Sequence, residues 1–175
     1  MNINRMKRYL VLGISIGLIF ILSGCFLSEE KALENALEEA ETEFNKEKAE
    51  VNQTIDVISL HLPGQMEIDG SSNNNVFLEE EGQDYLLFYN QFEGEDSKHL
   101  FEGIQAREDG LLLESFEQEG RFGFIAVFPN SKEEHYEIQV GIGGIKLTTL
   151  TTKDSLADEA KKMMNIVKSA KIENP

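Results

Sequence analysis

The hydrophobic and polar positions divide the sequence into parts that differ in period. Residues 9–22 form an uninterrupted stretch of weakly polar to apolar side chains. Residues 28–50 carry apolar side chains at the three- and four-residue spacings of an amphipathic helix, whereas from residue 54 apolar and polar side chains alternate as in β-strands. A helical period returns over residues 155–170. The pattern predicts an α+β fold, an antiparallel β-sheet covered by helices, which a further helix and a signal peptide precede.

The apolar stretch near the N-terminus has the features of a secretory signal peptide. It follows three basic residues, Arg5, Lys7 and Arg8. Its fourteen residues would span only about 21 Å as a helix, less than the roughly 30 Å of a bilayer core. A basic flank, a short apolar run and small residues at its end are typical of a cleaved signal and not of a membrane span. Residues 1–24 are therefore predicted to be removed.

The signal ends in Leu22-Ser23-Gly24-Cys25, which resembles the lipobox of bacterial lipoproteins. The resemblance implies that the Cys25 thiol receives a diacylglycerol group and that the peptide bond before it is cut. More than one acyl chain holds a protein durably on a bilayer. We therefore expect a lipid anchor on the extracytoplasmic face of the cell membrane, in a Gram-positive envelope. The alternative is an ordinary signal peptide, or an N-terminal anchor, with an incidental cysteine.

Residues 28–50 contain nine Glu and three Lys and are predicted to form an acidic helix. Ser28 can act as its N-cap by accepting a hydrogen bond from the first turn. The helix binds a partner protein, packs on its own domain or stands free as a solvated stalk; the spacing leaves these alternatives open. Its apolar stripe consists of Leu33, Leu37, Ala40 and Phe44.

Residues 52–175 are predicted to form the globular domain, after a lipidated cysteine and helical tether at 25–51. Residues 85–89 are apolar on both faces of a strand, which places that strand inside its sheet. The last helix is predicted to begin at a capping box of Ser155 and Asp158. The elements expected in order are a strand from 54 that ends at Pro63-Gly64, a turn-rich loop at 69–75, a hairpin of 76–78 and 85–89, a short helix at 97–109, a meander of 111–118, 122–128 and 136–145, a polar link at 148–153, a helix with Leu156, Ala160, Met163, Val167 and Ala170 inward, and an end strand at Ile172.

The order of these elements resembles the PsbP-like fold, which also contains the DcrB and LpqN families of bacterial envelope lipoproteins. The resemblance rests on a strand ending in Leu62-Pro63-Gly64, then a hairpin, a short helix and a meander, and on a C-terminal helix that leads into residues 167–172. It covers residues 54–172, and the acidic helix before them has no counterpart in it. The resemblance implies a non-enzymatic accessory or binding module on a larger assembly and brings no set of catalytic residues.

The composition narrows the classes of function. The 175 residues include 16 basic and 32 acidic side chains, a formal net charge of −16. Removal of residues 1–24 takes away three basic side chains and leaves 13 against 32, or −19. This balance excludes nucleic acid as a natural partner, because phosphate binding needs a basic face. The single cysteine excludes a disulfide framework and a cysteine-rich metal site.

Few side chains form a pattern with known chemistry. The sequence has no G-x-S-x-G nucleophile motif. His61, His99 and His135 lie in three different predicted elements, and their spacing is not that of metal ligands. The glycines at 141, 143 and 144 are not followed by a helix, so they indicate a strand end or bulge and not a phosphate loop.

The segment that starts at Asp69 is similar to a calcium-binding loop. Its oxygen-bearing side chains fall at positions 1, 3, 5, 7 and 12 of the EF-hand pattern. Position 6 is Asn74 where the pattern needs Gly, and no helix precedes the segment. A turn-forming composition alone is the alternative explanation. The candidate calcium ligands are Asp69, Ser71, Asn73, Asn75 and Glu80.

These observations favour a lipid-anchored extracytoplasmic accessory protein without enzymatic activity or resident cofactor. It would dock on a membrane or cell-surface protein complex through its N-terminal helix or an acidic face, since residues 67–119 hold 15 acidic and 2 basic side chains. That acidic excess can also serve solubility alone. One alternative function is a small-ligand or calcium-binding envelope lipoprotein. Another is a cell-wall hydrolase that uses carboxylates such as Glu114 and Glu117.

Overall fold

The computed structural model describes residues 27–132 and 134–173, so the predicted signal peptide, lipobox and Cys25 lie outside the described residues. Within this part of the chain no helix is both long and apolar enough to cross a membrane. The helices are α1 Glu29–Phe44, α2 His99–Gln105 and α3 Leu156–Ser169, with a 3₁₀ turn, Lys153–Ser155, before α3. The strands are β1 Gln53–Ile55, β2 Ile58–Leu60, β3 Glu67–Ser72, β4 Asn75–Glu80, β5 Gln83–Tyr89, β6 Leu112–Gln118, β7 Arg121–Pro129, β8 His135–Ile142, β9 Ile145–Thr152 and β10 Lys171–Ile172.

The strands form two antiparallel sheets. The large sheet has seven strands in the order β3-β4-β5-β9-β8-β7-β6, and the small sheet has the order β1-β2-β10. Together with the helices packed on the large sheet, this arrangement confirms the predicted α+β class. Strand β5 pairs with β4 on one side and with β9 on the other, so the strand predicted to lie inside its sheet does so. The predicted end strand at Ile172 is also confirmed, because β10 pairs with β2.

Strand β9 is the main element that the pattern did not predict. The polar link expected at 148–153 is wrong, because β9 pairs with β5 and with β8 along most of its length. Its inward positions continue from Leu147 to Thr149 and Thr151, which are buried. The Thr149 hydroxyl donates to the Asp84 carbonyl at 2.7 Å, so it is satisfied inside the protein. Threonine is β-branched and suits a strand, although its hydroxyl gives the segment a polar composition.

The turn-rich loop expected at 69–75 is also wrong, because β3 and β4 form a tight hairpin. The turn consists of Asn73 and Asn74, whose φ angles are 51° and 65°. Asparagine tolerates this left-handed conformation, and two such residues in succession form the turn that matches the twist of a β-hairpin. The flanking polar residues are therefore strand residues.

The main core lies between one face of the large sheet and helices α1 and α3. Strand β8 points Ile138, Val140 and Ile142 into this core, as its alternation predicts. The predicted stripe of α3 is confirmed as well, since all five of its residues are buried. The stripe consists of Leu156, Ala160, Met163, Val167 and Ala170.

Helix α3 begins without the predicted capping box. Ser155 has helical backbone angles, φ −101° and ψ −4°, and its side chain makes no capping hydrogen bond. A capping side chain needs an extended backbone at its own residue. Here the preceding 3₁₀ turn leads directly into the helix, so the capping geometry is absent at Ser155.

Helix α1 packs on α3 and on the large sheet, so of the alternatives left open for the predicted helical segment at 25–51, packing on its own domain is the one that the structure shows. The N-cap is confirmed, because Ser28 Oγ accepts a hydrogen bond from the Lys31 amide at 3.2 Å. Ala40 and Phe44 of the predicted stripe are fully buried, which confirms that half of it, whereas Leu33 and Leu37 are only half buried. Alanines on the buried face let the α1 and α3 backbones approach closely. The buried apolar residues of α1 are Ala32, Ala36, Ala40 and Phe44.

One buried ion pair joins α1 to α3. Lys168 Nζ donates to a Glu43 carboxylate oxygen at 2.8 Å and to the Glu43 carbonyl at 2.5 Å, and its side chain is 0% exposed. Asn165 and Lys46 donate to the same carboxylate at 3.0 Å and 2.9 Å. Burial on its own would raise the pKa of Glu43, but these donors outweigh burial and lower the pKa to about 2. Both buried charges are therefore satisfied.

Replacing Glu43 by Gln is expected to lower the free energy of unfolding by about 3–5 kcal/mol, because it leaves the Lys168 ammonium buried without a counter-charge. Urea unfolding followed by circular dichroism measures the loss. The matched control is Glu34→Gln on the same helix, where the Lys31 pair is more than half exposed. That control is expected to cost less than about 1 kcal/mol. Equal losses in the two variants would contradict the assigned role of Glu43.

The acid sensitivity of the Glu43 pair gives a second prediction. The pKa of Glu43 is about 2 in the folded protein against an ordinary value of 4.5. A lowered folded pKa contributes stability that is present above the ordinary pKa and is lost as the pH falls through the folded pKa. The difference in unfolding free energy between the wild type and Glu43→Gln should therefore be constant above about pH 5 and shrink towards pH 2. Urea titrations of both proteins at a series of pH values measure it, and a difference that stays constant down to about pH 2 would contradict this assignment.

Candidate interaction surface

The face of the large sheet opposite the main core is covered over only part of its width. Helix α2 lies on β6 and β7 at this face and forms a second apolar cluster there. The Phe101 ring centroid lies 5.5 Å from that of Phe122 and 5.6 Å from that of Phe124. On β4, β5 and β9, in contrast, large apolar side chains of the same face are exposed. The sheet therefore has a covered half and an uncovered half on this side.

The uncovered part, which we call the open half-sheet, is built from Phe77 on β4, Leu86 on β5 and Leu150 on β9. These side chains are 45%, 40% and 45% exposed. Phe77 lies directly opposite Leu86 across the β4–β5 pair. All three line one groove of about 430 Å³ together with Thr148. A contiguous exposed apolar surface of this kind is typical of a binding site, whereas single exposed apolar residues are not.

Acidic side chains border the open half-sheet. Asp69, Asp84 and Glu137 line the groove, and Glu79 lies directly opposite Asp84. Glu137 forms an ion pair with Arg107 at 2.8 Å. Within the described residues no lysine or arginine forms an ion pair with Asp69 or Asp84, although Lys132 and His135 line the adjoining pocket with Asp84. The groove thus combines an apolar floor with a negative border.

Two polar side chains mark the boundary between the covered and the open half. Gln139 is 6% exposed and lies opposite Thr148, and its amide nitrogen donates to the Glu137 carboxylate. Its Oε1 atom is buried and has no hydrogen-bond partner within the described chain. Burial lowers the pKa of Lys146, although attraction to Glu137 opposes the shift. The boundary therefore has an unmet hydrogen-bond acceptor and a lysine whose charge is poorly solvated.

The structure does not bring the candidate calcium ligands together. Strand β4 runs for six residues from Asn75 to Glu80, so these two residues lie about 17 Å apart, whereas calcium ligands lie about 2.3–2.6 Å from the ion. Glu80 pairs with Lys162 at 2.7 Å. The described residues include no group of three or more His, Cys, Asp or Glu that could hold a metal ion. Asp69 and Ser71 lie in β3, Asn73 lies in the turn, and Asn75 and Glu80 lie at the two ends of β4.

The histidines stay apart in the structure. His61 Nδ1 lies 2.8 Å from the Glu50 carbonyl oxygen, and His99 Nδ1 lies 3.4 Å from a carboxylate oxygen of Glu93. His135 is the first residue of β8. They therefore lie in separate parts of the fold, as their positions in the sequence predict.

The two carboxylates of the hydrolase alternative do not face each other. Glu114 and Glu117 lie three residues apart on β6, and successive side chains of a strand point to opposite faces. Glu117 pairs with Lys98 at 2.6 Å. This arrangement does not form an acid and base pair across a common substrate.

The glycine group ends β8, which agrees with the predicted strand end, and it turns the chain into the unpredicted strand β9. Gly143 has a φ of +55°, and a side chain at this position would collide with the Gly94 carbonyl oxygen. The Asn90 amide donates to the Gly144 carbonyl at 2.8 Å, so the loop of residues 90–98 is held against this turn. Phe92 on that loop is 87% exposed. Among residues 27–132 and 134–173 it is the one exposed aromatic side chain outside the open half-sheet.

Sequence reasoning missed the open half-sheet. The apolar residues 85–89 predicted a strand inside the sheet but not which of its faces is covered, and Leu86 is exposed while its neighbour Leu87 is fully buried. One signal was available in the sequence: the outward positions of neighbouring strands carry apolar residues, Phe77 and Leu86, and acidic residues lie next to them. That signal was not decisive, because the sequence does not show which part of a sheet a helix covers.

Comparisons with known proteins find similarity to solved structures only. No protein-family model matches the sequence, and no match is found among the curated proteins. The structure is similar to the solution structure of cyanobacterial PsbP (CyanoP) from Synechocystis sp. PCC 6803, with a TM-score of 0.42 and 10% sequence identity. The match covers 73% of this chain and 95% of that chain. PsbP is the family that the order of elements resembles.

The neighbouring leucines of β5 test which face of the sheet is covered. Leu87→Ala is expected to lower the free energy of unfolding by about 2–5 kcal/mol, because it leaves a cavity in the main core. Leu86→Ala is expected to cost less than about 1 kcal/mol, because its side chain is 40% exposed. Urea unfolding of both variants measures the difference. Equal and large losses would show that Leu86 is covered in solution.

Proposed function

We propose that this protein is a lipid-anchored extracytoplasmic accessory protein, without enzymatic activity, that docks on a membrane or cell-surface protein complex. The observation that carries the docking is the open half-sheet, where Phe77, Leu86 and Leu150 form an exposed apolar surface. Its acidic border favours a partner with basic side chains. Helix α1 is not the docking element, because its apolar face is buried against the domain.

The lipid anchor is proposed from Leu22-Ser23-Gly24-Cys25. Helix α1 begins at Glu29, four residues after Cys25. Four residues reach at most about 14 Å. An acylated Cys25 would therefore hold the domain close to the bilayer surface, within reach of the extracytoplasmic parts of membrane proteins.

The absence of enzymatic activity is supported by how the domain uses its buried polar groups. The Tyr85 hydroxyl donates to Glu159 at 2.9 Å and accepts from Lys162 at 2.8 Å. Burial raises the pKa of Tyr85, so its hydroxyl keeps its proton. Lys162 also pairs with Glu80 at 2.7 Å. A catalytic acid or base must reach its substrate, whereas these groups join β4 and β5 to α3.

Replacing Cys25 by Ser is expected to abolish acylation and to release the protein from the membrane fraction, because serine has no thiol to receive the diacylglycerol group. Incorporation of labelled fatty acid and fractionation of a Gram-positive host measure the two effects. Gly24→Ala is the matched control, since alanine keeps a small side chain before the cut and should keep acylation. A Cys25→Ser protein that remains acylated and membrane-bound would contradict the anchor.

In-cell cross-linking of a C-terminally tagged protein tests the docking. We expect one dominant membrane or surface protein in the cross-linked complex, lost with Cys25→Ser. Mass spectrometry identifies it. Cross-links spread over many proteins, or unchanged in the released variant, would overturn docking as the function.

A further inference from the structure

Helix α2 shows how a helix binds the outer face of the large sheet. Helix α2 packs Phe101 and Ile104, three residues apart, on the apolar side chains of β7. A basic residue at each end of α2 also forms an ion pair with a glutamate of the sheet. Lys98 pairs with Glu117 at 2.6 Å, and Arg107 pairs with Glu137 at 2.8 Å. The covered half is thus bound by an apolar helical stripe with flanking cations.

The open half-sheet has the same chemistry without a covering helix. Phe77, Leu86 and Leu150 supply the apolar floor. Asp69 and Asp84 supply acids that form no ion pair with a lysine or arginine of the described chain. The open half-sheet therefore has the same two features as the surface that α2 covers on β6 and β7, namely apolar side chains and acidic side chains beside them.

The size of the open half-sheet matches a short helix. It spans β4, β5 and β9, which lie about 5 Å apart, so its width is on the order of a helix diameter of about 10 Å. Along β5 the same sheet face runs from Asp84 through Leu86 to the half-buried Phe88, a distance of about 13 Å, which is the length of roughly nine helical residues. Two to three turns of helix would cover the floor.

The charges argue against two other occupants. A second copy of this chain would bring another acidic surface, since the net charge is −16. An anionic lipid surface would be repelled by the border of Asp69 and Asp84 in the same way. A basic segment of a different protein has the complementary charge.

We propose that the open half-sheet binds an amphipathic helix of a partner protein, with an apolar stripe on Phe77, Leu86 and Leu150 and basic residues over Asp69 and Asp84. The inference deepens the proposed docking function and rests on it for the existence of a partner. The partner segment that we expect is a helix of two to three turns with Leu or Phe at helical spacing and flanking Lys or Arg.

The test uses three synthetic peptides of fourteen residues. The first has Leu at i, i+3, i+4 and i+7 with flanking Lys, the second has the same composition in scrambled order, and the third has Glu in place of each Lys. Fluorescence anisotropy measures binding to the mature lipidated protein, residues 25–175, in phosphatidylcholine nanodiscs, with empty nanodiscs as the blank. We expect the first peptide to bind at least about tenfold more tightly than either of the others, and more weakly as salt rises.

Variants locate the binding. Leu86→Glu is expected to weaken the first peptide at least about tenfold, and Asp84→Asn about two- to fivefold with a smaller salt dependence. Phe92→Glu is the matched control, because Phe92 is 87% exposed outside the groove, and it should leave binding unchanged. Thermal unfolding shows whether Leu86→Glu stays folded; if it does not, Phe77→Ser takes its place.

Several results would overturn the inference. These are equal binding of the scrambled peptide, equal weakening by Phe92→Glu, and no effect of Leu86→Glu. Sedimentation that shows dimers of the protein, lost with Leu86→Glu, would assign the surface to a second copy and also overturn it. If the peptide fails while in-cell cross-linking still captures one partner through the anchored protein, the helix inference falls and the docking function stands.

Discussion

The buried pair of Glu43 and Lys168 is the constraint on which the rest of the structure depends. A charge buried without hydrogen-bond partners is very costly, so α1 and α3 have to meet where both charges are satisfied together. That meeting point also fixes α1 against the sheet, since the Phe44 ring lies 5.6 Å from that of Phe116. A side chain at Gly123 would collide with the same ring. The position of the helix pair, and with it the inner face of the sheet, is set within a narrow range.

The helix pair on one face determines what remains on the other. Helix α2 has seven residues and is about 10 Å long, whereas seven strands side by side span roughly 29 Å. A single short helix cannot cover that width, so part of the sheet stays open. Both long helices lie on the core face, so only α2 is left to cover the other face. Phe77 and Leu86 are exposed because no other element of the described chain covers them.

Local patterns predicted the elements whose inward positions are apolar and whose ends carry familiar signals, such as the cap at Ser28 and the stripe of α3. They failed where the inward residues are threonines, as in β9, and where Asn73 and Asn74 alone make the turn. On α1 two stripes competed, and the smaller alanines are buried because close packing against α3 decides the outcome. The open half-sheet depends on the order of the strands and on how much of the sheet α2 covers. Local hydrophobic periodicity carries no information about either.

The central place of β9 has a consequence for how the chain acquires its structure. Strands β3 to β5 form one group and β6 to β8 another, and β9 alone joins them in the large sheet. It pairs with β5 across some sixty residues of chain. Contacts between residues so far apart in the sequence are slow to form, so we expect the two groups of strands to join late in folding. A chain made from its N-terminus must keep β5 unpaired on one side until Thr149, the last β9 residue that pairs with it, has emerged. Until then the apolar residues of β5 are a surface that other unfinished chains can join.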